Sequence, residues 1–292
     1  MQKWLLIDGF NLMFRAFYGM PELTRADGFP TNALHGWVRT LWRLEDDQNP
    51  ARTIVFFDLG GAAKREALQE DYKANRGEMP EALAQQLPHI KELTRLLGYR
   101  IVEQSGVEAD DLIGAVAEHI SSIADGTEAI IVSADKDLAQ CLKPGVSQLL
   151  PPPTANPKLG WRTLTYDKVA EKFGVGPEVI PDYLALIGDT SDNIPGLKGV
   201  GPKTAAKWIC QYGNLEKIIG NCGRIKPPRF QAIIHEQQEQ LRQNLIMTTM
   251  EPVDQLPDIS PSTCDLQGAV ALLQQMEMNR TAEELQKRMA GK

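Results

Sequence analysis

Through the first two thirds of the chain, short runs of β-branched and large apolar residues alternate with longer stretches in which apolar positions recur every three or four residues. The runs WLLID (4–8), RTIVFFD (52–58), YRIVE (99–103) and EAIIVS (128–133) predict strands, and the stretches 32–46, 81–98 and 108–123 predict amphipathic helices. Strand and helix in alternation is the pattern of βα units, so the expected fold class is α/β with a mostly parallel central sheet flanked by helices. A further strand is predicted at VSQLL (146–150), ahead of a loop at 151–160 whose four prolines keep it irregular. From about residue 165 the period turns helical. Segments 166–174, 177–188, 202–213 and 214–221 predict short helices joined by glycine turns, and 226–250 predicts one or two more. This is a helical subdomain beside the sheet. After Glu251 the chain is rich in proline and serine and then amphipathic, and the sequence assigns that part no role.

Composition narrows the function classes only a little. At 292 residues, with 42% hydrophobic and 24% charged positions, the chain is an ordinary globular protein of one or two domains. It has no apolar run near the ~18 residues that span a membrane, and MQKWLLIDGF turns acidic too early for a secretion signal, so a cytoplasmic protein is expected. Cys141, Cys210, Cys222 and Cys264 are far apart, without the spacing of a zinc site, and are expected as reduced thiols. His35, His89, His119 and His235 fall in helix-like segments and suit packing or surface roles. A net charge of −7 argues at first against a nucleic-acid partner. The argument fails if the acids are gathered in one place, because setting aside the nine carboxylates named below leaves 29 acids against 31 bases.

Those acids follow the strands. Asp8 ends the first and Asp58 the second; Glu108, Asp110 and Asp111 follow the third, and Asp135 and Asp137 the fourth. In an open parallel sheet the crevice beyond the carboxyl ends of the strands is where ligands bind. Each acid alone has a plain structural reading as a turn former or a helix cap. Together they would raise one another's pKa and oppose folding unless a cation neutralised them. Hard dications with oxygen ligands, Mg²⁺ or its substitute Mn²⁺, suit such a set, and this many acids suits two ions. Two such metals form a known device for phosphodiester hydrolysis, activating water and stabilising charge on the attacking and leaving oxygens. Asp189 and Asp192, three residues apart, would share one face of a helical turn and join the cluster from the helical subdomain. The stretch GLKGVGPKTA that follows resembles a helix-hairpin-helix element. Gly199 and Gly201, with Lys203 and Thr204 at a helix start, would grip phosphates through backbone amides and the lysine.

With IDG, FFD, YKANR, EADD, SADKDL, GDTSDNIPG and GVGPKTA in this order, the chain resembles the 5′ nuclease or flap endonuclease family over about residues 4–250, especially the 5′→3′ exonuclease domain of bacterial DNA polymerase I. The resemblance implies a PIN-like, resolvase-like domain over 1–164, a helix-hairpin-helix (H3TH) subdomain over 165–254 and an unassigned extension over 255–292. It implies one metal centre drawing on Asp8, Asp58, Glu108, Asp110 and Asp111, and a second on Asp135, Asp137, Asp189 and Asp192. A helical arch at about 62–82 would pass a single-stranded 5′ end. Lys73, Arg76 and Arg15 would contact the scissile phosphate, Arg65 would act in the same role, and Tyr72 would offer a ring to a base. Backbone carbonyls of Leu186, Ile187, Pro195, Leu197 and Val200 would hold potassium. The implied activity is Mg²⁺-dependent hydrolysis of DNA, and of RNA primers, near 5′ single-strand/duplex junctions in replication and repair. The protein would act as a monomer, in sequence with a DNA polymerase and a ligase. Two other readings stand beside it: a non-catalytic, structure-specific DNA-binding protein, and a PIN-type metal-dependent ribonuclease.

Overall fold

The computed structural model describes residues 2–60, 63–69, 71–75, 77–123 and 125–290, with backbone alone at 63 and 64. Its centre is a six-stranded sheet of β1 (Lys3–Asp8), β2 (Arg52–Phe56), β3 (Arg100–Val102), β4 (Glu128–Val132), β5 (Val146–Leu150) and β6 (Arg162–Leu164), in the order β3-β2-β1-β4-β5-β6. All neighbours run parallel except β5 and β6. β6 was not foreseen, since it is three residues long and buries only Leu164. The chain leaves β1 toward β2 on one side, and β4 pairs with the other side of β1, so the strand order reverses between β1 and β4. Such a reversal opens a crevice at the carboxyl ends of the strands.

Side chains alternate across the sheet, and both faces are covered, which is why the strands read as continuous apolar runs. On one face Leu6, Ile54, Phe56 and Ile131 pack beneath α6 (Ala109–Ser122) and the helical subdomain. That subdomain comprises α7 (Tyr166–Phe173), α8 (Ile180–Ile187), α9 (Pro202–Tyr212), α10 (Leu215–Gly220), α11 (Arg229–Glu236) and α12 (Gln238–Thr248). On the other face Leu5, Ile7, Val55 and Val132 meet residues of α1 (Gly9–Gly19), α2 (Asn32–Gln48) and α5 (Leu87–Leu96). The short α3 (Ala63–Leu68) and α4 (Glu81–Ala84) lie between β2 and α5.

Two helical expectations are corrected. The span 81–98 is two helices, because Pro88 near the start of α5 has no amide to give the preceding turn, and the buried Gln86 side chain instead bonds Ala82 O, Asn32 Oδ1 and Leu34 N–H. The span 177–188 opens as a 3₁₀ turn (Pro177–Val179) before α8. In the range expected for the arch, the described residues include the six-residue α3 and a turn at 71–75. α1 went unread because it begins directly on the last residue of β1 with no linker to mark it.

Residues 251–290 join the core. A segment at 251–265 runs over the sheet edge, where Arg52 donates to Ile259 O at 3.1 Å and Arg100 to Asp258 O at 2.9 Å. α13 (Leu266–Gln275) and α14 (Asn279–Ala290) then place Leu272, Leu273, Met276 and Leu285 in the core that holds Trp37, Leu41 and Leu93. Leu273→Ala removes a fully buried side chain from this packing, so it is expected to lower unfolding free energy by about 2–5 kcal/mol. Urea unfolding measures this, and a loss below about 1 kcal/mol would mean the helices are not part of the cooperative core.

Candidate metal centre and nucleic-acid interface

The strand ends deliver acids to the crevice, and each acid also does local structural work. Asp8 closes β1 and caps α1, accepting Asn11 N–H at 3.0 Å and Ser133 Oγ at 2.8 Å. Asp58, two residues past β2, accepts Ala109 N–H at 2.6 Å and so fixes the entrance of α6. Asp135, just past β4, accepts Asp137 N–H at 2.9 Å. Asp189 and Asp192 are not on a helical turn. They occupy a tight loop closed by paired backbone bonds between Asp189 and Ile194, and Asp189 Oδ1 accepts both Ser191 N–H and Ser191 Oγ. The loop still reaches the crevice: Asp137, Asp189 and Asp192 offer carboxylate oxygens that all lie within 4.8 Å of one another.

The electrostatics sort the acids into two kinds. Burial pushes Asp8 up to about 6, with Asp135 and Asp58 adding to the shift, and pushes Asp137 up to about 8, with Asp135 and Asp189 adding to it. Asp110 and Asp135 are also raised by burial and by neighbouring carboxylates. Glu108 and Asp189 go the other way. Burial opposes their ionisation, but Lys73 and Arg65 outweigh it at Glu108, and Ser191 and Lys136 do so at Asp189. Asp111 is raised as well, because burial outweighs its bonds to Arg65. Among the described residues, Asp137 Oδ1 is buried with no hydrogen-bond partner. An all-carboxylate donor set with an orphaned oxygen fits a hard dication.

The cations correct two expectations. Arg65 is 5% exposed and holds Asp111 through two parallel 2.9 Å bonds, pairs with Glu108, and donates to Thr249 O at 3.0 Å. Burial alone would lower its pKa, and the two carboxylates reverse that, so Arg65 is a fixed internal counter-ion and not a group offered to phosphate. Tyr72 is 9% exposed, packed with Ile194 and Met247, and its hydroxyl lies 3.3 Å from both Glu108 Oε2 and Asp192 Oδ2. Its ring is therefore not presented to a base. Lys73 sits on the rim with its ammonium on Glu108 and its amide 3.2 Å from Asp192 O. Arg76 lies outside the described residues. Arg15 projects from α1 to Pro152 O and lines a groove of about 860 Å³ that also meets Asn11, Ala134, Arg39 and Arg43.

The glycine hairpin runs directly from the Asp189 loop. Gly188 and Gly196 cross so closely that a Cβ on Gly188 would fall 2.3 Å from Gly196 N, and one on Gly196 2.1 Å from Ile187 O. No other residue fits at either position. Gly199 turns at φ +81, Gly201 precedes α9, Lys203 is exposed and Thr204 half-buried in its first turn. The carbonyls of Leu186 and Ile187 end α8, and those of Pro195, Leu197 and Val200 lie in the loop that follows; among the described residues Leu197 N–H donates to Leu186 O, Asn244 Nδ2 to Pro195 O and Val200 N–H to Leu197 O.

Several supporting residues escaped the sequence reading. Ser133 bridges Asp8 and the Asp135 amide, and the buried Gln148 donates to Ser133 O and Asp135 O. Asn11 accepts Ala134 N–H. Nothing in a single sequence marks a serine just past a strand, or a glutamine within one, as holding a neighbour's acid in place.

The raised carboxylates give a pH prediction. A folded pKa above the unfolded value stabilises below the unfolded pKa, and that contribution is lost as pH rises through the folded value, here from about 4 to about 8. Bound dication opposes the loss. The gap in melting temperature between Mn²⁺ and EDTA should therefore widen from pH 5 to pH 8, and a gap independent of pH in scanning fluorimetry would contradict it.

Comparison with known proteins agrees with this geometry. Residues 3–174 match the family described as 5'-3' exonuclease, N-terminal resolvase-like domain, and residues 175–271 match 5'-3' exonuclease, C-terminal SAM fold. A 5'-3' exonuclease of Aquifex aeolicus is 35% identical over 287 residues, covering 98% of this chain and 96% of that protein. The thermostable DNA polymerase I of Thermus thermophilus is 34% identical over 285 residues, covering 96% of this chain, which spans 33% of that longer protein. In three dimensions, a bacteriophage T5 flap endonuclease in a pseudo-enzyme-product complex with DNA and metal ions superposes with a TM-score of 0.70 at 23% identity, covering 98% of each chain, and shares the fold. The Aquifex match continues past residue 250, where the resemblance read from the motifs stopped. A mostly parallel sheet ending in acids, the SAM-type helical part and a full-length relative converge: the chain belongs to the 5'-3' exonuclease family of hydrolytic nucleases.

Proposed function

We propose that the chain is a Mg²⁺-dependent 5′→3′ exonuclease and 5′ flap endonuclease, cutting DNA and RNA primers near single-strand/duplex junctions during replication and repair. It works as a cytoplasmic monomer between a polymerase and a ligase. The observation that carries the reading is the set of buried and half-buried carboxylates at the strand-order reversal whose pKa values are raised, ending in an Asp137 oxygen that has no hydrogen-bond partner among the described residues.

Asp8, Asp58 and Asp110 would hold one dication, Asp137, Asp189 and Asp192 the other, and Asp135 stands between the two groups, its field felt by Asp8, Asp110 and Asp137. Glu108 joins the first position when Lys73 turns from it to the substrate, and Asp111 stays with Arg65 as an anchor. Bound metals supply water activation and stabilise the charge that develops on phosphate as water adds to phosphorus and the bond to the 3′-oxygen breaks. Lys73, Arg76 and Arg15 hold the phosphate being cut. Gly199, Gly201, Lys203 and Thr204 hold the neighbouring duplex through backbone and ammonium, and a potassium ion on the carbonyls of 186, 187, 195, 197 and 200 would complete that grip.

A labelled 5′-flap duplex should be cut at the junction with Mg²⁺ and remain whole in EDTA. Binding without products in either buffer would point to a non-catalytic DNA-binding protein, and preference for unstructured RNA to a PIN-type ribonuclease. Asp135→Ala should abolish single-turnover cleavage while the flap still shifts on a gel; undiminished turnover would remove Asp135 from the centre. Lys203→Ala should weaken duplex binding and shallow its log–log salt slope by about one, and an unchanged slope would count against the hairpin.

A further inference from the structure

Lys136 stands between two of the acids assigned above, in the run SADKDL, and its Nζ lies 2.9 Å from Asp189 Oδ2. Asp189 Oδ1 is taken by Ser191 N–H and Ser191 Oγ, so Oδ2 is the oxygen that Asp189 has left to offer, and Lys136 holds it. Asp189 is one of the three carboxylates whose oxygens cluster within 4.8 Å. The ammonium thus sits on the edge of the space that a second cation would take. It is no ordinary surface pair, since the Asp189 side chain is 6% exposed, yet the lysine side chain is 36% exposed and has a route outward. The occupation is partial, because Asp137 Oδ1 remains buried and without a partner among the described residues. Local structure keeps the lysine there: Asp135 N–H on Ser133 Oγ and Asp137 N–H on Asp135 Oδ1 fix the turn, and Lys136 is the residue that enters the 3₁₀ helix Asp137–Cys141.

We propose that Lys136 is a resident counter-ion of the second metal position. In the metal-free protein it holds Asp189 and relieves the repulsion among the acids; a dication that binds Asp189 must displace it, since two cations on one carboxylate oxygen repel. Lys136 therefore weakens the affinity for the second ion and stabilises the protein that lacks it. The proposal rests on the two-metal reading of the previous subsection.

The test needs no substrate. Free Mn²⁺ is followed by electron paramagnetic resonance as the whole protein is titrated, for the wild type, Lys136→Met and Lys136→Arg. The wild type should bind a tighter and a weaker ion. Lys136→Met should tighten the weaker one about tenfold or more and leave the tighter one nearly unchanged. Its melting temperature should fall below wild type in EDTA and rejoin it in saturating Mn²⁺, while Lys136→Arg stays near wild type in both. A weaker ion bound no more tightly than in wild type, or an equal gain at both positions, would overturn the proposal. If Lys136→Met does not fold, Lys136→Gln must show the same tightening. A wild type that takes up no Mn²⁺ would instead overturn the two-metal reading itself.

Discussion

Repulsion among carboxylates at the carboxyl edge of the sheet governs this molecule. The fold brings them together because β1, β2 and β4 each release the chain at the same rim, and the reversal of strand order leaves that rim open. Burial strips their solvent, so each added negative charge is harder to hold than the last. The protein answers with cations of its own at only some positions. Arg65 and Lys73 neutralise Glu108, Arg65 fixes Asp111, and Lys136 takes Asp189. Asp8, Asp110, Asp135 and Asp137 are left with raised pKa values, and burial raises Asp111 too, even beside Arg65. The imbalance is local and directional, and it creates a demand that small hard cations from solution can meet.

Structural and chemical roles coincide in these acids. Asp8 caps a helix, Asp58 receives the first amide of another, and Asp135 and Asp189 each close a turn with one oxygen. Such bonds hold the side chains in one orientation before any ligand arrives, so little ordering entropy remains to be lost on binding. They also explain why an acid seen one at a time looks like an ordinary turn residue.

The sequence made the periodic and the repeated legible. Strand runs, the helical second part and acids recurring at successive strand ends all leave a pattern along the chain. What it concealed depended on contacts between distant segments. Arg65 and Tyr72 sit in a basic, polar stretch that reads as exposed, yet they are buried because Asp111, Glu108, Ile194 and Met247 close over them from more than thirty positions away. The spacing of Asp189 and Asp192 suited a helix, and Gly188 with Gly196 made it a tight loop instead. The helices after residue 265 carried a recognisable period, but no local signal says that their apolar face completes the core beside Trp37.

The link between the subdomain and those helices reaches the acid rim itself: Thr249 O takes a bond from Arg65, and Glu251 N–H donates to Asp111 at 2.7 Å. A boundary drawn after residue 250, tempting because the helical part ends there, would cut through the clasp that orients the internal guanidinium. Any minimal fragment should keep this peptide, and the helices that anchor it, intact. Chimeras that graft a different helical part onto this sheet will need a junction outside 249–251 for the same reason.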